Sequence, residues 1–187
     1  MGRIELILGG ARSGKSRYAE QQLLQAGTDV IYIATAQALD GEMQQRIQRH
    51  QQQRPAHWRT IEQPIALADA IQQVSTSDPN AAILVDCLTL WVTNCLLADG
   101  DCWSSQKDAL LRLLPQLTQP LWLVSNEVGH GIVPLGELSR RFVDESGWLH
   151  QAIAAQADGV TLMVAGIPMF VKSHATHRQL GSIRSKQ

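Results

Sequence analysis

Few features of this chain mark a specialised environment. Cysteine is scarce: Cys87, Cys95 and Cys102 are odd in number and lack C-x-x-C spacing. That excludes a disulfide framework as the organising device, argues against a zinc site and fits a reducing cytoplasm. The three read best as small apolar fillers. Charge of either sign is not in excess, with 16 Lys+Arg against 17 Asp+Glu and a net charge of −1. A nucleic-acid or anionic-membrane surface needs a basic excess, so neither partner is expected. No apolar stretch approaches the roughly 20 residues of a membrane helix, so no insertion is expected. Met1-Gly2-Arg3 runs straight into an apolar segment without a leader pattern. Against these absences, 44% of the 187 residues are hydrophobic and 18% charged, enough for a sizeable core in one domain.

The most informative stretch is Gly9-Gly10-Ala11-Arg12-Ser13-Gly14-Lys15-Ser16, which fits G-x-x-x-x-G-K-[ST] at every fixed position. An apolar run from Ile4 to Leu8, broken only by Glu5, precedes it, and a helix-forming run from Arg17 follows. Strand, glycine loop and helix is the context in which this pattern binds phosphate. Glycines let backbone N–H groups turn inward onto phosphate oxygens, and the helix start adds partial positive charge. Lys15 can reach the β- and γ-phosphates, and Ser16 can hold Mg²⁺. Ala81 to Val85 is a second buried strand and ends in Asp86, the pattern of an acid that holds Mg²⁺ or its water shell opposite Ser16.

The remaining chain alternates strands and helices. Val30 to Ala34 is a short β-branched strand ending in Thr35-Ala36-Gln37. Leu121 to Ser125 is another, ending in Asn126-Glu127-Val128-Gly129-His130-Gly131. Polar groups and glycines just after such strands lie where open α/β sheets bind ligands. Helices are expected over 64–74, 88–97, 104–117 and 136–156, and a last strand over 160–165. The segment 55–64 reads as a connector with room for a short strand, and Trp58 within it as core. The pattern predicts a mainly parallel sheet with helices on both faces, an α/β fold of P-loop NTPase type. Residues 1–172 form one catalytic domain on this reading, and 173–187 a loose basic tail.

Between the strands, residues 41–53 read as a helix that is polar nearly all round, with Met43 and Ile47 the apolar exceptions. Arg46, His50 and Arg54 fall on one stripe at i, i+4 and i+8. Flanking guanidiniums disfavour imidazolium, which keeps His50 neutral and nucleophilic, and they can hold a phosphate against it. The same spacing also describes a solvated surface helix, and spacing alone leaves both readings open.

Several stretches together resemble the bifunctional adenosylcobinamide kinase / adenosylcobinamide-phosphate guanylyltransferase family of cobalamin biosynthesis. They are Gly9 to Ser16, Tyr32-Ile33-Ala34-Thr35, Arg46-Ile47-x-x-His50-x-x-x-Arg54-Pro55, Trp58-Arg59-Thr60-x-Glu62, Val124-Ser125-Asn126-Glu127-Val128-Gly129-x-Gly131-Ile132-Val133-Pro134, and Arg141-Phe142-x-Asp144. The resemblance implies two reactions. ATP or GTP phosphorylates the aminopropanol hydroxyl of adenosylcobinamide. GTP then gives GMP to adenosylcobinamide phosphate through a guanylyl-histidine, releasing pyrophosphate. The family's histidine falls on His50, with Lys15 the other catalytic residue. Ala34, Thr35, Ala36, Gln51, Gln52, Gln53, Arg54, Glu62 and Asp86 occupy stretches the family uses around the nucleotide. A carboxylate such as Glu62 can accept both N1–H and N2–H of guanine. Asp86 and Glu127 are both candidates for taking the cobinamide hydroxyl proton. The resemblance further implies a homotrimer. His130, Arg49 and Trp148-Leu149-His150 depart from the family pattern. The P-loop also fits a kinase for another small molecule, or a non-catalytic module gated by nucleotide.

Overall fold

The computed structural model describes residues 2–37, 41 and 55–173. The elements in chain order are β1 (Ile4–Gly9), α1 (Lys15–Ala26), β2 (Val30–Ala34) and β3 (Arg59–Glu62). Next come α2 (Leu67–Ser77), β4 (Ala82–Asp86), α3 (Leu88–Leu97) and α4 (Cys102–Leu113). A 3-10 turn at Leu114–Gln116 leads to β5 (Leu121–Asn126), α5 (Glu137–Gln156), β6 (Gly159–Val164) and β7 (Ile167–Lys172). The strands form one sheet in the order β3-β2-β4-β5-β1-β6-β7. All neighbouring pairs are parallel except β6 with β7.

Side-chain alternation feeds two cores. Ile31, Ile33, Ile83, Val85, Leu121 and Leu123 point to the face covered by α2, α3, α4 and α5. Tyr32, Leu84, Ile7 and Val124 point to the other face, where α1 supplies Ala19 and Leu23. Both faces of the central strands are thus covered, which is why their sequences are continuous apolar runs. Trp91 anchors the larger core: it is fully buried, its ring meets Trp103 edge-on at 5.4 Å, and its Nε1 donates to Ile65 O at 2.7 Å. Trp58 is buried in the smaller core, as expected.

Element boundaries differ from the sequence reading in physical detail. The helix expected from Pro64 begins at Leu67, because Gln63 Oε1 accepts the N–H groups of Ile65 and Ala66 and holds a turn there. The helix expected over 104–117 runs Cys102–Leu113, and its continuation tightens into the 3-10 turn around Pro115. The short strand allowed for in the connector is β3. A strand not anticipated is β7, which folds back on β6 through Ala165 and Gly166, both with positive φ. Nearly all of the expected polar helix over 41–53, and the tail from 174 onward, lie outside the described residues.

Candidate nucleotide-binding site

The candidate residues lie at or just beyond the C-terminal ends of the parallel strands. The register places Ala34 beside both Glu62 and Asp86, Asp86 beside Val124, and Asn126 beside Gly9. The ends of β3, β2, β4, β5 and β1 therefore form one continuous rim.

At β1 the chain enters the glycine loop. Gly9 has φ 154°, and a Cβ there would lie 2.6 Å from both Met163 O and Ser13 Oγ. Gly14 has φ 93° and starts α1, so the helix amides face the loop. Ser13 N donates to Gly10 O at 3.3 Å, and Gly166 N donates to Ser13 O at 3.0 Å. The β6–β7 turn thus buttresses the loop from behind. Lys15 opens α1 and folds back across it, its Nζ donating to Gly10 O at 2.8 Å. Its side chain is buried, and desolvation lowers its pKa while the charge of Asp86 opposes that shift. An ammonium held in this way is set to meet phosphate oxygens with little competition from water.

Asp86 ends β4, and its Oδ2 accepts from Tyr32 Oη at 2.8 Å. Thr35 ties the neighbouring strand ends together. Its Oγ1 donates to Cys87 O at 2.7 Å and accepts from Cys87 N at 3.0 Å, and its carbonyl accepts from Asn94 Nδ2 at 2.8 Å. The Ala34-Thr35-Ala36 segment is therefore fixed by hydrogen bonds on both sides. Gln63 N donates to Ala34 O at 2.8 Å, which keeps the exposed Glu62 carboxylate on the same rim.

Beyond β5, Asn126 Nδ2 donates to Thr89 Oγ1 at 2.9 Å. Glu127 N donates to the carbonyl of Gly9 at 2.9 Å, which attaches this residue to the root of the glycine loop. Its Oε1 accepts from Gly129 N at 2.7 Å, and its Oε2 lies 3.9 Å from His150 Nδ1. His150, on α5, bonds through Nε2 to the fully buried Ser125 Oγ at 2.7 Å. Burial lowers the His150 pKa, partly opposed by Glu127, so the ring is neutral at pH 7.

The structure thus gathers the described candidates: Gly9 to Ser16, Ala34 to Ala36, Glu62 and Asp86. His50, Gln51, Gln52, Gln53, Arg54 and Arg46 lie outside the described residues. His57 and His130 are exposed, with His57 edge-on to Trp58 at 6.5 Å. Glu127 was a candidate from sequence, but the His150–Ser125 pair beside it was missed. Its signal was present in the row Ser146, Leu149, His150, Ile153, a buried i, i+3, i+4, i+7 stripe that carries a histidine inward.

Comparison with known proteins gives consistent results. The family described as cobinamide kinase / cobinamide phosphate guanyltransferase matches residues 5–171. The bifunctional adenosylcobalamin biosynthesis protein CobP of Pseudomonas aeruginosa is 57% identical over 169 residues, covering 90% of this chain and 96% of that protein. The protein CobU of Escherichia coli, described in the same words, is 41% identical over 181 residues, covering 89% of this chain and 98% of its own. A solved structure from Pyrococcus horikoshii OT3 matches with a TM-score of 0.53 at 7% identity, covering 92% of this chain and 87% of its own. That last likeness is one of fold alone.

Proposed function

The chain belongs to the cobinamide kinase / cobinamide phosphate guanyltransferase family, and from that premise we propose that both reactions use the rim described above. In the first, the γ-phosphoryl group of ATP or GTP passes to the aminopropanol hydroxyl of adenosylcobinamide. In the second, GTP gives GMP to adenosylcobinamide phosphate, yielding adenosyl-GDP-cobinamide and pyrophosphate. The observation that carries this reading is the buried Lys15 ammonium, laid across the glycine loop at the start of α1 and electrostatically coupled to Asp86.

In the first reaction the loop amides and the α1 N-terminus bind the phosphates. Lys15 stabilises the charge that builds on the transferring group and the leaving oxygen. The half-buried Ser16 hydroxyl and the Asp86 carboxylate are hard oxygen donors on the same rim, and they fit Mg²⁺. That ion, when bound, neutralises phosphate charge. Tyr32 holds Asp86 in place through the 2.8 Å hydrogen bond.

In the second reaction His50 is the nucleophile. Its neutral imidazole attacks the α-phosphorus of GTP, pyrophosphate leaves, and the phosphate of adenosylcobinamide phosphate then displaces the imidazole. Gln51 to Arg54 lie beside it in sequence, and Ala34-Thr35-Ala36 and Glu62 supply nucleotide contacts, with Glu62 suited to the guanine edge. The assembly is a homotrimer in the cytoplasm on this reading, which sedimentation of the purified chain checks for oligomeric state. Among the described residues, no helix is long and apolar enough to cross a membrane.

The test is turnover with defined products. Adenosylcobinamide, ATP and GTP incubated with the chain should give adenosyl-GDP-cobinamide and pyrophosphate over many cycles. Nucleotide consumption without a phosphorylated or guanylylated corrinoid would overturn the assignment.

A further inference from the structure

Phosphoryl transfer to an alcohol needs a destination for the hydroxyl proton. Two carboxylates stand on the rim close to the glycine loop, Asp86 and Glu127, and the structure separates them. Asp86 is already engaged: its Oδ2 accepts from Tyr32, and its charge is coupled to Lys15. It belongs with the phosphates and the cation. Glu127 is attached to the other side of the loop through the 2.9 Å hydrogen bond from its N–H to Gly9 O. Its side chain is about one-fifth exposed, so it is reachable by a second substrate. One oxygen is pinned by Gly129 N at 2.7 Å. The other, Oε2, accepts no hydrogen bond among the described residues and looks onto His150 Nδ1 at 3.9 Å.

The surroundings of Oε2 are fixed as well. His150 is buried against Ser125, and Ser125 has no solvent exposure. When Ser125 donates to Nε2, the proton of the neutral ring sits on Nδ1, the side facing Glu127. The ring then offers a dipole to the carboxylate without neutralising it, since burial keeps imidazolium unfavourable. A carboxylate hydrogen-bonded at one oxygen and not at the other, partly exposed beside a phosphate loop, has the features of a positioned base.

We propose that Glu127 is the catalytic base of the phosphoryl-transfer step, and that His150 and the Gly129 N–H are its positioning groups. The assignment rests on the phosphoryl-transfer reading given above. In the step, the acceptor O–H bond breaks and its proton goes to Glu127 Oε2. The acceptor oxygen bonds to the γ-phosphorus. The bond from that phosphorus to the bridging oxygen breaks, and the nucleoside diphosphate leaves with the electron pair. Guanylyl transfer has no such requirement, because its acceptor is a phosphate oxygen that is already ionised at neutral pH. Glu127 therefore separates the two reactions, which Lys15 does not.

The experiment measures each reaction alone in Glu127→Gln, Glu127→Asp and His150→Asn. Phosphorylation is followed with adenosylcobinamide and ATP, and guanylylation with adenosylcobinamide phosphate supplied ready-made with GTP. Glu127→Gln should lower kcat for phosphorylation by about 10²–10⁴-fold with little change in the KM for ATP, and should leave guanylylation near the wild-type rate. Glu127→Asp, which keeps the charge but withdraws it by one methylene, should recover part of the loss. His150→Asn should lower kcat for phosphorylation without raising KM. A Glu127→Gln chain that phosphorylates at the wild-type rate, or that loses both reactions equally, overturns the assignment. Should Glu127→Gln fail to fold, Glu127→Asp decides by the same split between the two reactions. A wild-type chain inactive in phosphorylation would refute the functional reading and not the choice of base.

Discussion

The central strands of the sheet and its edge strand β7 are both apolar, with opposite fates. Val30–Ala34 in β2 is buried at every position. In β7, Ile167, Met169, Phe170 and Val171 are all more than half exposed. The central strands have partners on both sides and helices over both faces, whereas β7 has one partner, β6, and terminates the sheet. Hydrophobicity thus marks strands, but their neighbours decide what is buried. Function follows a further distinction. The central strands stop in polar residues, Asp86, Thr35 and Asn126-Glu127, all on one rim. The edge hairpin meets that rim through the Gly166 N–H to Ser13 O bond and through Met163 beside Gly9.

Substitutions at graded positions test this contrast. Trp91→Ala, in the core beneath the central strands, should cost about 3–5 kcal/mol of unfolding free energy, read by urea denaturation. Lys15→Ala should leave the fold intact and lower the rate of phosphorylation by about 10²–10³-fold, read by corrinoid product formation; a wild-type rate would break the claim that the rim is the phosphate site. Thr35→Val keeps the shape but strands the buried Cys87 N–H, and should cost about 1–3 kcal/mol, read by thermal unfolding.

His150 adds a pH dependence to the central region. Its folded-state pKa is lowered, so the unfolded chain binds a proton more readily. Its contribution to stability is full above the ordinary histidine pKa, and is lost as pH falls from there through the folded-state value. His150→Asn should flatten that acid-side loss, measured by denaturation at pH 7.5 and pH 5. Smallest of all, Phe170→Ser on β7 should change monomer stability by no more than about 0.5 kcal/mol. A loss comparable to that of Trp91→Ala would erase the distinction between centre and edge.

The sequence was most legible where covalent pattern and tertiary role coincide. A strand buried on both faces must be a continuous apolar run, so β1, β2, β4 and β5 could be read directly. The glycine loop could be read because φ values such as the 93° of Gly14 restrict residue choice. β7 was hidden because Pro168 and Gly166 read as a turn after the last strand. Proline is tolerated there because β7 is an edge strand, and the hairpin is closed by Ala165-Gly166 with φ of 51° and 81°, without the Asn-Gly or Asp-Gly pair that signals such turns. Thr35 and Glu127 were placed at the ligand edge by their position after strands. Their roles depend on backbone partners 52 and 118 residues away, Cys87 and Gly9, that no local pattern specifies. His150 was noted only as a departure from the family, since its partner Ser125 lies on a different element.

The proposed guanylyl-transfer site joins the glycine-loop rim and His50. It is tested most directly by incubating the chain with α-labelled GTP and isolating the protein under denaturing conditions. The protein should carry an acid-labile label that chases into adenosylcobinamide phosphate, is absent from His50→Ala and is strongly reduced in Lys15→Ala. A label that persists in His50→Ala, or wild-type labelling in Lys15→Ala, would contradict it.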